Sequence, residues 1–151
     1  MDAALVSLIT RLGLAPHPEG GHYRRVHTAA HAHGSRPALT AIQYLLTHGE
    51  HSRWHRVDAD ECWHWQQGWP LELRLFDPRR QSLQVRRLGG GADGDEPMVI
   101  VPAHWWQSAR PLGDYGLVAC VVAPGFAWEG FAILDENDPI ARQLDAMGAW
   151  P

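Results

Sequence analysis

Residues 49–68, GEHSRWHRVDADECWHWQQG, constrain this chain more than any other stretch. Between two glycines they gather His51, His55 and His64, the carboxylates Glu50, Asp58, Asp60 and Glu61, and Trp54, Trp63 and Trp65. Side chains two apart on a strand share a face. Two short strands joined by a turn at Asp58-Ala59-Asp60 would therefore set His55, Val57 and Glu61 on one side of a sheet. A histidine and a carboxylate on the inner face of a β-barrel are costly to bury unless they hold a metal, a ligand or each other. That cost points to a functional site.

The flanking segments predict an all-β domain. Residues 38–46, ALTAIQYLL, place Ile42, Tyr44 and Leu46 on one face, and residues 23–25 lead into an earlier strand. Residues 71–76 and 83–88 flank Asp77-Pro78-Arg79-Arg80, a hairpin turn with proline at its second position. Residues 98–101 and 115–123 read as buried strands closed by Pro102 and by Pro124-Gly125, and residues 131–134 as a short strand. About ten short strands, with turn signals roughly every 8 to 12 residues, describe a sandwich or barrel.

Helices are expected only near the ends. At residues 2–12, Leu5, Leu8, Ile9 and Leu12 follow the helical period, Asp2 can cap the start and Gly13 suits the position just past the end. A second helix is expected at residues 139–147. Residues 16–21, PHPEGG, read as a rigid turn followed by permissive glycines, and residues 31–37 as a polar loop. Gly89-Gly90-Gly91 and the acids after it read as an exposed flexible connection, because neither a helix nor a lysine follows to make a phosphate site. With no repeat, low-complexity tract or linker, residues 1–151 form a single domain.

Composition narrows the functions. The net charge is −4 and all 13 basic residues are arginine, which argues against a nucleic-acid partner. The lack of lysine excludes Schiff-base and P-loop chemistry. Cys62 and Cys120 are too few for a disulfide framework, so reduced thiols in a cytoplasmic protein are expected. The first residues show neither a basic signal-peptide start nor a membrane span, so no membrane partner is expected.

A resemblance to the cupins now becomes specific. Their first motif runs Gly, five residues, His, one residue, His, three or four residues, Glu, six residues, Gly. Gly49, His55, Glu61 and Gly68 keep that spacing, with Val57 in the second histidine place. The second motif, Pro-x-Gly-x-x-His, is met by residues 102–107, with His104 in place of the glycine and Gln107 in place of the histidine. Six segments in order are similar to one RmlC-like cupin family: PHPEGGHYRR at residues 16–25, YLL at 44–46, SRWH at 52–55, DECWH at 60–64, VPAHWWQ at 101–107 and VAPGF at 122–126. The resemblance implies a cupin double-stranded β-helix (jelly-roll) barrel, a homodimer, and a pocket in the barrel mouth.

Three functions are then open. The first is a metal-independent isomerase, epimerase or lyase that takes a small polar, carbohydrate-like metabolite. His55 is its general base, Glu61 orients or reprotonates it, and His64 and Tyr44 are further proton carriers. Tyr23, Arg24, Tyr44, Trp54, Trp65 and Gln107 are the expected substrate-binding residues: aromatic walls beside a few polar groups build small-molecule pockets, and Arg24 can meet an anion. The second is a metal-dependent oxygenase or isomerase. It would hold a divalent Zn, Mn, Fe or Ni ion weakly through His55, Glu61 and Gln107, because two of the four cupin imidazoles are lost. His64 or His104 would have to turn inward to complete that set, and strict alternation puts His64 on the face opposite Glu61. The third is a non-catalytic module that binds a small-molecule ligand.

Overall fold

The apolar run at residues 115–123 becomes β10 (Tyr115–Ala123), the centre of a six-stranded antiparallel sheet. On one side β10 pairs with β3 (Leu39–Thr47), which continues to β2 (His22–Ala29) and β1 (Ala15–Pro16). On the other it pairs with β5 (Asp60–Gly68), then β8 (Met98–Val101). A second antiparallel sheet runs β11 (Ala132–Ile133), β4 (Ser52–Arg56), β9 (Trp106–Pro111), β6 (Leu71–Asp77), β7 (Ser82–Leu88). The orders β3-β10-β5-β8 and β4-β9-β6-β7 are those of an eight-stranded jelly roll. This computed structural model describes residues 1–31, 33–92 and 94–151; within the loops expected at 31–37 and after Gly91, Ala32 and Asp93 lie outside the described residues.

Strands that are apolar on both faces are covered on both. The inner faces of β3, β5, β8 and β10 supply Tyr44, Trp63, Val99 and Val118 to the barrel core. On the outer face Leu45 and Leu117 stand opposite each other, and α1 (Ala3–Leu12) lays Leu8 over them together with Leu14. Burying such a side chain contributes about 1.5–3 kcal/mol. The ends of α1 form as the sequence predicts: Asp2 accepts a 2.8 Å bond from the Leu5 N–H, and Gly13 takes a left-handed φ of 64°.

A second helix, α2 (Pro139–Ala146), covers the outer face of the other sheet, packing Leu144 on Trp54, Phe76 and Trp106. The Trp54 indole donates to the Ala149 carbonyl at 2.9 Å, and the Arg74 guanidinium donates to the same oxygen at 3.0 Å. Among the described residues no helix is long and apolar enough to cross a membrane.

Three expectations change. The turn at residues 58–60 does not close a hairpin: β4 and β5 lie in different sheets, so His55 and Glu61 face one interior from separate walls. β8 is an edge strand with Met98 and Ile100 exposed, so it is buried on one face only. The glycine-rich connection is built in: Leu88 bridges Glu96, Arg86 pairs with Glu96 and Arg87 with Asp95, and the Trp65 ring occupies the place of any Cβ on Gly90.

Candidate functional site

The site begins with the turn at residues 16–21. Gly20 and Gly21 have φ of 111° and 74°, and a Cβ on either would strike the carbonyl of His51 or Leu45. Only glycine lets the backbone pass so close to these neighbours. The passage is fixed by Tyr44 Oη donating to the Gly20 carbonyl at 2.6 Å and by the Arg53 N–H donating to the Glu19 carbonyl at 2.7 Å. The result delivers Glu19, 6% exposed, to the barrel interior.

Glu19 meets His55 there. His55 Nδ1–H donates to the Arg53 carbonyl at 2.7 Å, which turns Nε2 toward Glu19 Oε2 at 3.2 Å. The other Glu19 oxygen accepts from Ser52 Oγ at 3.1 Å. A register shift in β4 between Ser52 and His55 lets both face inward, against strict alternation. His17 Nδ1 accepts from the Glu19 backbone N–H at 3.1 Å and lies 3.7 Å from Glu19 Oε2. Its Nε2 has no protein partner among the described residues.

Glu61 enters from β5. Its Oε1 accepts from Gln107 Nε2 at 2.8 Å, and the Gln107 carbonyl accepts from the Trp63 indole N–H at 2.7 Å. An indole nitrogen only donates, so Trp63 fixes which end of the amide is which. Gln107, on β9, therefore presents N–H groups to the site.

Burial governs the charge state. It pushes the Glu19 carboxyl up to about 8, opposed by the hydrogen bond from Ser52. It pushes Glu61 up to about 7, offset by the nearby His55 and reinforced by Glu19. It lowers His17 to about 4 and lowers His55 as well, so both imidazoles are favoured neutral. Among the described residues neither carboxylate meets an arginine. Glu19 and His55 hold one proton between them along the Oε2–Nε2 line, since charge on either is penalised.

These groups line a cavity of about 520 Å³, within the usual range for small-molecule sites. Tyr23, Ile42, Tyr44 and Trp63 line it from the large sheet, and Phe126, Trp128 and Phe131 wall it from the segment after β10. Phe126 and Phe131 meet the Trp128 ring edge-on, at 4.9 and 5.5 Å. Arg36 ties the start of this segment to the barrel: it donates to the Gly125 carbonyl at 2.8 Å and pairs with Asp58 at 2.7 Å.

The structure brings His55, Glu61, Tyr23 and Tyr44 into this cavity and sets Gln107 behind Glu61. Arg24 only reaches the rim, its guanidinium donating to the Leu12 carbonyl at the end of α1. Three expected residues lie elsewhere. His64 is exposed on the outer face of β5, because no bulge rotates it inward. Trp54 faces away from His55 and packs under α2. Trp65 fills the far end of the core beside Gly90. His17 and Glu19 are functional residues that local pattern missed, since an acid in a Pro/Gly turn is ordinarily solvated. Their signal was the PHPEGG block itself.

The cupin metal does not fit these residues. Gln107 offers donors where a cation needs a lone pair, Val57 has no ligand atom, and His64 and His104 are exposed. Among the described residues no three His, Cys, Asp or Glu side chains are disposed to hold a metal ion.

A jelly roll with acid–base groups lining a cavity in its mouth defines the class: a cupin barrel. The chain belongs to the cupin superfamily family DUF985, which it matches over residues 6–134. It is similar to a hypothetical protein from Leishmania major (29% identity, 98% of this chain and 93% of that one, TM-score 0.81). It is also similar to a protein from Shewanella oneidensis solved by X-ray crystallography (30% identity, 99% and 90%, TM-score 0.82). Bacillus subtilis oxalate decarboxylase, at 18% identity, shares the fold over 88% of this chain and 34% of its own length, with a TM-score of 0.63. No curated protein matches the sequence.

Proposed function

We propose that this cupin binds a small polar, carbohydrate-like metabolite in the barrel mouth and moves a proton on it without a metal, as an isomerase or epimerase does. The observation that carries this reading is a pair of buried carboxyl groups, Glu19 and Glu61, in one cavity, neither of them paired with an arginine among the described residues. Efficient acid–base groups have pKa values near the working pH, and burial supplies that here.

The more acidic partner, Glu61, is the base, oriented by the Gln107 N–H. Its carboxylate removes a proton from a carbon next to the ligand carbonyl. The proton shared by Glu19 and His55 passes to the carbonyl oxygen, giving an enediol, and Ser52 holds the carboxylate left behind. Glu61 returns its proton to the neighbouring carbon, giving the isomer, or to the opposite face of the same carbon after the enediol turns over, giving the epimer; in either case an enediol hydroxyl restores the proton to Glu19. His55 thus works through Glu19 rather than as a free base, because its Nε2 is already engaged.

The test is deuterium wash-in. The protein is incubated in D2O with hexoses, hexuronates and hexose phosphates, and the sugars are read by NMR and mass spectrometry. Exchange at the carbon next to the carbonyl, lowered about 10²-fold or more by Glu61→Gln, is expected. A ligand that binds yet returns unlabelled and unchanged would make the protein a binding module instead.

A further inference from the structure

The cavity contains a feature that the acid–base chemistry does not use. β2 enters the barrel with Tyr23 opposite Tyr44, Arg24 opposite Gln43 and Arg25 opposite Ile42. Tyr44 and Ile42 face inward, so alternation turns Tyr23 and Arg25 inward and Arg24 outward, and the register shift comes only after Arg25. The outward direction of Arg24 is borne out by its bond to the Leu12 carbonyl. Arg25 lines the cavity and, among the described residues, has neither an acid nor a hydrogen-bond acceptor as partner.

We propose that Arg25 is the anchor for an anionic group on the ligand, so that the substrate is a sugar acid or sugar phosphate held with its charge at the cavity mouth. A guanidinium offers a planar fork that matches carboxylate and phosphate oxygens, and among the described residues Arg25 has no ion pair to break when an anion arrives. Arg25 is exposed at the cavity mouth, where its guanidinium is open to solvent and to an incoming anion. The site is polarised accordingly. Arg25 shares its cross-strand row with Ile42, Cys120 and Trp63, and Glu61 stands one row further along, on the same strand as Trp63. Three interstrand steps separate β2 from β5, at most about 14 Å along the sheet. The Arg25 side chain and one monosaccharide together span that distance. A second anion is disfavoured at the other end, where Glu19 and Glu61 are buried, so the neutral hydroxyl and carbonyl end lies there.

This inference rests on the proposed site but not on its chemistry, and binding is measured apart from turnover. Tryptophan fluorescence and calorimetry would follow D-glucuronate, D-glucose 6-phosphate and neutral D-glucose on the wild type, Arg25→Gln and Arg24→Gln. The wild type and Arg24→Gln should prefer at least one anion over glucose by about 10- to 100-fold, as charge-assisted bonds confer. Arg25→Gln should lose that preference while still unfolding cooperatively. The preferred anion tells carboxylate from phosphate. No preference in the wild type, no binding of either anion up to about 50 mM, or an undiminished preference in Arg25→Gln would overturn the assignment. If the preference stands but no deuterium washes in, the acid–base reading alone fails. If deuterium washes into glucose as readily as into the anions, the anchor alone fails.

Discussion

Replacing Glu19 with glutamine tests the electrostatics of the site without reference to any ligand. In the folded protein the Glu19–His55 pair keeps one proton, and Glu61 keeps another, up to about pH 8 and about pH 7. In the unfolded chain both glutamates are ionised above pH ~5 and both histidines are neutral above pH ~7. Between roughly pH 4.5 and 6.5 the protons gained by the glutamates are opposed by those that His17 and His55 refuse. Above pH 6.5 the glutamates increasingly dominate. Their folded pKa values are raised, so the stability they contribute is lost as pH rises through about 7 and about 8.

At about 1.4 kcal/mol per pH unit per proton, the wild type should lose about 2 kcal/mol between pH 6.5 and 8, roughly two thirds of it through Glu19. The count does not depend on whether the shared proton sits on Glu19 or His55. Glutamine keeps the shape, can accept from Ser52 and donate to His55 Nε2, and cannot ionise. Glu19→Gln should therefore lose under about 1 kcal/mol over the same range. Urea unfolding followed by tryptophan fluorescence at pH 6.5, 7.2 and 8 measures this, with a constant m-value as the check that the transition is unchanged. A wild-type profile that is flat or rises above pH 6.5, or a variant that falls as steeply as the wild type, refutes the reasoning.

Restoring the two missing imidazoles should restore the metal: Val57→His with Gln107→His is expected to retain about one equivalent of zinc after desalting, read by elemental analysis, whereas either single change is not. Trp63→Phe strands the Gln107 carbonyl and removes buried volume, and should cost about 2–4 kcal/mol in urea unfolding. Asp2→Ala removes the cap of α1 and should cost about 1 kcal/mol by the same measurement, leaving ligand binding unchanged.

Much of the fold was legible in the residues, for local reasons. Periodicity, the Asp2 cap, Gly13 and the Asp77-Pro78 turn act over a few positions, and each element they mark forms where expected. β9 was not legible, because WQSARP carries serine, arginine and proline; its burial comes from β4 and β6 on either side. The same division holds at the site. His55 and Glu61 announced themselves as polar groups at inward positions, and the PHPEGG block marked a rigid, glycine-dependent turn.

Tertiary structure decided the rest. That β4 and β5 lie in opposite sheets, that two glycines steer Glu19 against His55, and that Trp63 turns the Gln107 amide around all depend on partners 33 to 46 positions away. Which of Arg24 and Arg25 faces inward depends on register against β3. A sequence fixes which groups can carry a proton or charge, because that is covalent chemistry and short-range geometry. Their pKa values and orientations come from desolvation and contact with distant strands, which exist only once the barrel has closed.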